Sequence, residues 1–350
     1  MNEAQQLEYL INILEEIVNI PSPSGYTGQI MNVLADRVKE MGYTVENNRK
    51  GGLIITVPGK SPEVLGICAH ADTLGAMVRS VTPQGYLKFL SVGGYMMQTV
   101  EGEYCRIHCR SNGQTYTGTV LTTMPSVHVY NDCRSQERVV ENMEVRIDAL
   151  VNNAGDVEKL GIGAGDFISF APRFEHTDSG FIKSRHLDDK ASVAVLMTLL
   201  KVMSETGQQP ERTLKLLITN YEEIGHGASF IPHDIKELLA VDMGALGEDL
   251  TGDETKVSIC AMDSSGPYDY DMTNRLIRIA KERSLDYAVD VFPHYGSDVS
   301  AALRGGNNIC GALIGQGVHA SHGMERTHEK GLWNTLELVK GFVGIERIKE

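Results

Sequence analysis

The segment Leu217–Ala228, with the sequence LITNYEEIGHGA, places two adjacent carboxylates between an apolar run and a glycine-containing turn. Residues 213–219 are predicted to form a buried strand, and neighbouring side chains on an extended chain point to opposite faces. Glu222 and Glu223 can therefore act differently in one site, one as a metal ligand and the other as a proton acceptor. Two surface glutamates at the start of a loop would show the same local pattern, so the interpretation depends on which residues join them.

A second candidate pattern, CAHAD at residues 68–72, ends the predicted strand of residues 64–69. His70 and Asp72 are two positions apart, so they share one face of an extended chain. Asp72 can accept the proton of one imidazole nitrogen while the other nitrogen binds a metal ion. The alternative is a hydrogen-bonded histidine at a strand end that binds nothing.

Three more candidate ligands stand at predicted helix starts, strand ends or loops. The motif HLDDK at 186–190 opens the most apolar helix of the sequence, and Asp188 either caps that helix or presents a bridging carboxylate to the sheet. Asp242 follows a short predicted strand, and ligands of open α/β sheets bind at such carboxyl ends. His322 lies in a late glycine-rich segment, where His319 and His328 are competing histidines.

Together these positions supply the predicted ligands of two ions: His70, Asp188, Glu223, Asp242 and His322. Two histidines, one bridging carboxylate and two terminal carboxylates suit a pair of zinc-like ions with open positions for water. In two-metal hydrolases the ions lie ~3.5 to 4 Å apart and lower the pKa of bound water to about 7. Glu222 would then be free to accept the proton of that water.

The elements that must position these residues form an α/β pattern with a β-rich interruption. Residues 75–181 contain short β-like pieces, including 100–109 and 115–121, and one short helix near 155–160, which favours a small barrel or sandwich. Outside this segment, the periodicity of apolar residues predicts helices over 7–18, 27–41, 191–203, 268–283 and 333–345 and a helical stretch to residue 239. It predicts strands over 52–57, 64–69, 213–219 and 309–314 and a short strand that ends in AVDMG at 240–244.

Composition narrows the class of protein. The chain has 350 residues, of which 42% are hydrophobic and 22% charged, so it is globular and long enough for two domains. No run reaches the ~18 apolar residues of a membrane span, and the polar start MNEAQQ lacks a secretory pattern, so a cytoplasmic location is expected. Six scattered cysteines without a CxxC indicate reduced thiols. The formal net charge of -14 argues against nucleic acid as a partner.

Several motifs in order connect the sequence with a known family. They are PSPSG at 21–25, HADTLGAMV at 70–78, HLDDK at 186–190, NYEEIGHGA at 220–228, AVDMG at 240–244, YGSDVSAA at 295–302 and SHG at 321–323. The set resembles the M42 metallo-aminopeptidases, glutamyl-aminopeptidase-like enzymes that form tetrahedral particles. The resemblance implies an α/β fold with a mixed central sheet and helices on both faces, as in zinc peptidases. It also implies a catalytic domain of residues 1–74 and 182–350 and an inserted small β-barrel (PDZ-like) domain of residues 75–181.

The resemblance also implies roles for the candidate residues. One metal ion would be held by His70, Asp188 and Asp242, and the other by Asp188, Glu223 and His322, with Asp188 as the bridge. Glu222 would be the general base and then the acid, and Asp72 would orient His70. A cis peptide bond is implied between Asp188 and Asp189. The expected cofactors are two divalent ions per subunit, zinc first, with cobalt or manganese as alternatives.

Three positions depart from the family pattern. The family commonly has Glu where this chain has Thr73, Arg where it has Lys190, and an Arg-Tyr-x-His-Ser run where it has HASHG at 319–323. All five candidate ligands are retained. The pocket around them is altered, so the substrate preference of relatives does not transfer to this chain.

The predicted function is removal of N-terminal residues from short peptides by a two-metal aminopeptidase. The resemblance further implies a homo-oligomer, a dodecamer built from dimers, and no membrane or nucleic-acid partner. A metal-dependent deacylase or carboxypeptidase is the alternative, because related two-zinc folds use nearly the same ligands. An endoglucanase-like glycoside hydrolase would need two opposed carboxyl groups ~5 to 9.5 Å apart and no metal, and it leaves both histidines unexplained.

Overall fold

The computed structural model describes residues 1–347. Its helices are α1 (Glu3–Val18), α2 (Gly28–Glu40), α3 (Ala154–Lys159), α4 (Leu187–Thr206), α5 (Tyr270–Glu282), α6 (Asp298–Arg304) and α7 (Glu329–Val343). Its strands are β1 (Thr44–Asn47), β2 (Leu53–Val57), β3 (Ser61–His70), β4 (Gly75–Val81), β5 (Leu87–Val92), β6 (Tyr104–His108), β7 (Thr115–Thr122), β8 (Met143–Ile147), β9 (Phe167–Phe170), β10 (Glu175–His176), β11 (Phe181–Ser184), β12 (Arg212–Thr219), β13 (Glu237–Val241), β14 (Gly244–Ala245), β15 (Val257–Asp263), β16 (Gly266–Pro267), β17 (Tyr287–Val291), β18 (Cys310–Val318) and β19 (Glu325–His328). In this part of the chain, no helix combines the length and apolarity needed to cross a membrane.

The main sheet is mixed, with the strand order β1-β2-β12-β3-β13-β18-β15-β16, while β14 pairs with β18 and β17 with β15. Its centre consists of β12, β3, β13 and β18, and these four strands run parallel to one another. The flanking strands β2 and β15 are antiparallel to this block. The carboxyl ends of the four central strands therefore meet at one edge of the sheet.

Helices cover both faces of the sheet, as predicted. On β3, Ile67 and Ala69 belong to the core that packs against α1, α4 and α7, whereas Cys68 belongs to the core under α6 on the other face. Parallel strands buried on both faces read as continuous apolar runs, and residues 65–70 are buried without interruption. The most apolar helix, α4, is buried along nearly all its length and occupies the middle of its layer.

The β-rich interruption forms a closed barrel with the strand order β4-β5-β8-β7-β6-β9. It has an apolar core of its own, which includes Phe89, Ile107 and Val145. The predicted helix near 155–160 is present as α3, and the strand predicted over 100–109 is shorter, since β6 begins at Tyr104. The fold class expected from the sequence, an α/β sheet carrying a small β-barrel, is confirmed.

One predicted element is wrong. The helical stretch expected before residue 239 is absent, and residues 220–236 form turns with a single 3₁₀ turn at Gly227–Ser229. Gly225 and Gly227 weaken a helix, and Pro232 lacks the amide proton that a helix interior requires. The segment is instead a loop that leaves the edge of the sheet where the central strands end and returns to begin β13 at Glu237.

A small third sheet of β10, β11 and β19 joins two distant parts of the chain. Strand β11 follows the barrel and leads to the start of α4, and β19 follows His322. The pairing of Ser184 with Glu325 therefore holds the segment that precedes Asp188 next to the segment that follows His322. The sequence analysis did not predict this sheet, because its strands are only two to four residues long.

Candidate active site

The central parallel strands each lead to a candidate ligand at the same edge of the sheet. His70 is the last residue of β3, Asp242 follows β13 directly, and Glu223 and His322 stand in the turns after β12 and β18. Asp188 comes from the start of α4, where its backbone is not helical and its peptide bond to Asp189 is cis. This edge is where open α/β sheets bind ligands, because chain turns there present side chains to a common crevice.

Asp188 lies between the two histidines. Its Oδ1 is 3.1 Å from Nε2 of His70, and its Oδ2 is 3.4 Å from Nε2 of His322. Nε2 of His322 is also 3.4 Å from Oε2 of Glu223, and Nε2 of His70 is 3.6 Å from Oε2 of Glu222. A carboxylate whose two oxygens face two different imidazoles has the arrangement that a bridging ligand requires.

Potential ligand atoms fall into two groups, each within a span of 4.8 Å. One consists of His70, Asp188 and Glu223, and the other of His70, Asp189 and Asp242. Asp189 was not among the predicted ligands, although it belongs to the HLDDK motif. Its Oδ2 accepts the backbone N–H of His70 at 3.2 Å, while its Oδ1 is buried without a hydrogen-bond partner.

Burial and mutual repulsion raise the pKa of most acids in this cluster. Desolvation raises the pKa of Glu222 and Glu223 well above the usual range, and it raises the pKa of Asp242 to about 7. Burial alone would lower the pKa of His322, but the hydrogen bond to Asp188 and the charge of Glu223 raise it to about 10. The clustered carboxylates therefore stabilise a positively charged group that lies between them, such as the protonated ring of His322.

The cluster meets the chemical requirements of a site for divalent ions. Imidazole nitrogens and carboxylate oxygens are ligands of zinc and similar ions. Oε1 of Glu223 and Oδ1 of Asp189 are buried and have no hydrogen-bond partner in the described part of the chain. A buried carboxylate oxygen without a partner is costly unless something positive is bound to it. The residues present therefore fit metal ions.

Asp72 contacts His70 differently from the sequence prediction. Nδ1 of His70 is 2.9 Å from the backbone oxygen of Asp72 but 3.7 Å from its Oδ1. Strand β3 ends at His70, so the alternation of faces does not extend to residue 72. The Asp72 carboxylate instead accepts the hydroxyl of Ser24 and the backbone N–H groups of Glu222, at 3.2 Å, and Glu223, at 3.4 Å. It therefore holds the turn that carries the two glutamates.

Glu222 and Glu223 diverge because of this turn and not because of a strand. Strand β12 ends at Thr219, and Tyr221 has a positive φ of 73°. The turn is closed by the N–H of Gly225, which donates to the carbonyl of Glu222 at 2.7 Å. The prediction that the two side chains point different ways is met, with Glu222 toward His70 and Glu223 toward His322.

Of the three late histidines, the structure brings His322 into the cluster. His319 is exposed, and its backbone pairs with Arg326. His328 caps α7 by accepting the N–H of Lys330 at 3.0 Å, and its Nε2 lies 3.0 Å from the carbonyl of Ser179. The ring of His328 is therefore occupied outside the acidic cluster, and His319 is paired through its backbone alone.

Sequence reasoning missed Glu325, which holds two ligands at once. Its Oε2 accepts the N–H of Asp188 at 3.0 Å, and its Oε1 accepts the N–H of His322 at 3.1 Å. Glu325 is buried, and burial raises its pKa to about 8. A glutamate three residues after a candidate histidine was its only signal in the sequence.

Asp298 was also missed, although its motif YGSDVSAA was noticed. Its carboxylate accepts the hydroxyl of Thr219 and, at 2.6 Å, the N–H of Ala228. A methyl group on Gly227 would overlap Oδ1 of Asp298, so glycine is required for this close approach. Asp298 thus fixes both ends of the loop that contains Glu222 and Glu223.

An open cavity of about 400 Å³ lies over the cluster. It is lined by Asp188, Glu222, Glu223, Asp242 and His322, among others. A larger cavity of about 620 Å³ lies between the segment 18–22 and the barrel, reaches Lys190 and is lined by none of the candidate ligands. The smaller cavity is the one that carries the chemistry, and its size is sufficient for part of a short peptide.

Two of the departures from the family pattern concern residues beside this cluster. Thr73 is buried and donates its hydroxyl to the carbonyl of Leu74 at 3.1 Å. Lys190 is fully buried, and its Nζ donates to the carbonyl of Ile20 at 2.7 Å. Both side chains are occupied by backbone groups, so neither takes the place of a candidate ligand.

A mixed α/β sheet whose parallel strands end in a buried cluster of carboxylates and imidazoles beside an open cavity fits a class of hydrolytic enzymes that bind divalent ions. The model of one such family, the M42 glutamyl aminopeptidases, matches residues 51–338. The chain therefore belongs to the M42 glutamyl aminopeptidase family and is a peptidase. The resemblance drawn from the sequence motifs is confirmed.

Individual relatives agree with this assignment. The "Putative aminopeptidase YhfE" of Bacillus subtilis (strain 168) is 47% identical over 335 residues, which cover 95% of this chain and 96% of that protein. The PhTET1-12s dodecamer has a TM-score of 0.83 at 22% identity, covering 95% of this chain and 98% of the other. Pyrococcus horikoshii TET1 peptidase, which can assemble into a tetrahedron or a large octahedral shell, has a TM-score of 0.85 at 23% identity, covering 95% and 99%. These two solved structures support the fold.

Proposed function

We propose that the protein is a metal-dependent aminopeptidase that removes N-terminal residues from short peptides and uses two bridged divalent ions. His70, Asp188 and Asp242 would hold one ion, and Asp188, Glu223 and His322 the other. The observation that carries the proposal is the position of Asp188, whose two oxygens face His70 and His322 at 3.1 and 3.4 Å. Zinc is the proposed ion, with cobalt or manganese as alternatives.

When bound, such ions polarise the scissile carbonyl and acidify a water molecule at neutral pH. Glu222 supplies the proton transfer: its carboxylate lines the open cavity beside His70 and is not needed as a ligand. It accepts a proton from the attacking water and then donates it to the leaving amine. Asp72 and Ser24 do not touch the substrate in this scheme, and they keep Glu222 in place through its backbone N–H.

The density of acids also selects the end of the peptide that binds. A free α-amine can lie against the proposed ions and donate a hydrogen bond to Glu222, the carboxylate on the cavity wall that is not a proposed ligand. Acetylation removes the basic amine and adds bulk at this position. We therefore expect cleavage of a short peptide with a free N-terminus and no cleavage of its N-acetylated form. Equal cleavage of both would favour the deacylase or carboxypeptidase alternative.

Metal removal distinguishes the proposed metal-dependent peptidase from a glycoside hydrolase. A chelator should abolish peptidase activity, and zinc or cobalt should restore it, because the peptidase needs the ions and a carboxylate-pair glycosidase does not. The measurement is hydrolysis of an aminoacyl-anilide before chelation, after chelation and after metal addition. Activity that survives complete removal of metal would contradict the proposal.

We further propose that residues 75–181 form an inserted domain for lid or assembly functions and that residues 1–74 and 182–350 form the catalytic domain. The closed barrel with its own apolar core supports this division. We propose a homo-oligomer, a dodecamer built from dimers, because of the likeness to the PhTET1-12s dodecamer and to TET1 peptidase, which can assemble into a tetrahedron. We also propose a cytoplasmic location. A peptidase that acts on many sequences can be tolerated there if its active sites lie in an enclosed chamber that folded proteins cannot enter.

A further inference from the structure

The loop between β5 and β6, residues 93–103, leaves the barrel and contacts the proposed metal ligands. Its Gly94 carbonyl accepts a hydrogen bond from Nδ1 of His322, the ring nitrogen opposite the one that faces the acids. Beside it, Gly93 packs against Glu223, and a methyl group there would lie 3.6 Å from the Glu223 Cβ. The barrel therefore contributes the group that orients the imidazole of His322.

A buried ion pair holds this loop against the catalytic part of the chain. Glu103 and Arg185 are 2% and 6% exposed, and Oε2 of Glu103 accepts hydrogen bonds from Nε and Nη2 of Arg185 at 3.1 and 2.8 Å. Arg185 also donates from Nη2 to the carbonyl of Thr99. Thr99 in turn contacts the carbonyl of His322 at 3.5 Å through its hydroxyl. The remaining oxygen of Glu103 is paired with Arg173 at 2.9 Å.

Arg185 is well placed to connect the loop with the ligands, since it lies three residues before Asp188. One side chain thus fixes the loop that orients His322 and belongs to the segment that delivers Asp188. A planar guanidinium with several donors can hold a carboxylate and a carbonyl together, which a lysine ammonium cannot do in the same geometry.

We propose that Glu103 is a positioning residue for one of the two metal sites, acting through Arg185 and the loop 93–103 on the ring of His322. The proposal rests on the two-ion site described under the proposed function. Partners of a metal-bound histidine's second nitrogen fix its tautomer and orientation, and their loss typically weakens metal binding about 10- to 100-fold. The site that uses His322 should therefore depend on the barrel more strongly than the site that uses His70, because the His70 ring is oriented by the Asp72 carbonyl and the two sites share only Asp188.

The test compares Zn²⁺ and Co²⁺ binding by the full-length wild-type protein and Glu103→Gln, using metal competition titrations and the absorption spectrum of the cobalt form. Glutamine keeps the shape of Glu103 but loses its charge. The matched control is Glu101→Gln in the same loop, since Glu101 forms a more exposed ion pair with Arg138 at 2.8 Å. We expect Glu103→Gln to weaken one of the two sites about 10- to 100-fold and to change the cobalt spectrum, with a smaller effect on the other site and no effect in the control. Excess zinc should restore its peptidase activity.

Two results would overturn the role of Glu103: wild-type affinity at both sites in a folded Glu103→Gln protein, or equal weakening of both sites. If Glu103→Gln does not fold, Arg185→Lys replaces it, because lysine keeps the charge pair while losing the simultaneous hydrogen bonds. The metal affinities of the two sites in Arg185→Lys are then compared with those of the wild type in the same way. A wild-type protein that binds no divalent ion would overturn the proposed function as well, whereas a failure limited to these variants leaves that function intact.

Discussion

Glu222 and Glu223 are adjacent in sequence but approach different histidines, and this separation allows two roles. Both carboxylates line the open cavity, but the side chain of Glu222, beside His70, is 15% exposed. The side chain of Glu223 is 3% exposed, and its Oε1 is buried without a hydrogen-bond partner among the described residues. A buried carboxylate oxygen without a partner is suited to a metal ion, and a carboxylate facing a cavity is suited to proton transfer. The structure therefore supports the proposed assignment of the two glutamates.

The first prediction concerns the exchange of Glu222 for glutamine. Glu222→Gln should lower turnover by about 10²- to 10⁴-fold, because the amide keeps the shape of the side chain but cannot accept a proton. Its metal content should remain that of the wild type. Glu223→Ala is the matched variant and should lose metal from one site. Measured rates and metal analysis of both proteins decide the matter: a folded Glu222→Gln protein without metal would mean that the roles are reversed.

At the scale of elements, the site depends on loops that leave four parallel strands and are fixed by buried carboxylates. Asp72 holds the glutamate turn, Asp298 holds the loop after it, and Glu325 joins the N–H groups of Asp188 and His322. Each of these acids accepts hydrogen bonds from backbone groups that no strand or helix satisfies. A buried backbone N–H group without a partner is costly, so these carboxyl oxygens stabilise the conformations of short loops.

The second prediction tests the close approach of Gly227 to Asp298. Gly227→Ala should destabilise the protein by about 1 to 3 kcal/mol, because the added methyl group would overlap a carboxylate that cannot move without losing its partners. Gly247→Ala is the control, since a methyl group at Gly247 would meet no heavy atom within 4 Å. Urea unfolding at pH 7 measures both. Equal stability of the two variants would show that the loop adapts to the methyl group.

The third prediction concerns the pH dependence of stability in the barrel. Burial, together with the charge of Arg106, lowers the pKa of His108 to about 4 in the folded protein. Its ring contacts Ser169 and Thr115 through hydrogen bonds of 2.8 and 3.4 Å. An unfolded histidine has a pKa of about 6.5, so between pH 6.5 and 4 the unfolded chain binds a proton that the folded chain does not. Stability should therefore decrease as the pH falls through this range.

His108→Gln should remove this contribution while retaining hydrogen-bonding groups. We expect the loss of unfolding free energy between pH 7 and pH 5 to be about 1 to 2 kcal/mol smaller in the variant than in the wild type. Urea unfolding of both proteins at the two pH values measures the difference. Parallel pH dependences would mean that His108 is protonated at the same pH in the folded and unfolded chains.

At the scale of the whole molecule, the barrel contributes to the candidate active site. It has its own core, yet its loop 93–103 contacts His322 and Glu223 in the catalytic part of the chain. An assembly built through the barrel would then act on the geometry of the site. The main sheet contains no strand of the barrel, yet one of its candidate ligands is oriented by a barrel loop.

The fourth prediction concerns assembly. Full-length protein at micromolar concentration should scatter light as a homo-oligomer far larger than the 38.4 kDa chain, as expected for the proposed dodecamer. Short peptides should be degraded, whereas a folded protein with an accessible N-terminus should not, because it could not enter an enclosed chamber. A monomer in light scattering, or equal degradation of the two substrates, would contradict the chamber.

The sequence by itself determined the class of fold and most of the candidate cluster. Apolar runs that end in His70, Asp242 and the Glu222–Glu223 pair are local patterns, and buried parallel strands produce them directly. The long apolar stretch of α4 likewise required a central position. The order of the motifs then indicated the M42 family, and the match of the family model confirmed this assignment.

Tertiary structure decided which groups orient the cluster, because these contacts join residues that no local pattern connects. Glu325 binds the backbone of Asp188 across 137 positions, and the Gly94 carbonyl reaches His322 across 228. The turn after β12 likewise replaced strand alternation as the cause of the divergence of Glu222 and Glu223, since a single residue with positive φ redirects the chain. Side-chain periodicity describes a residue only while it remains within its strand or helix, and the chemistry of this protein lies beyond the strand ends.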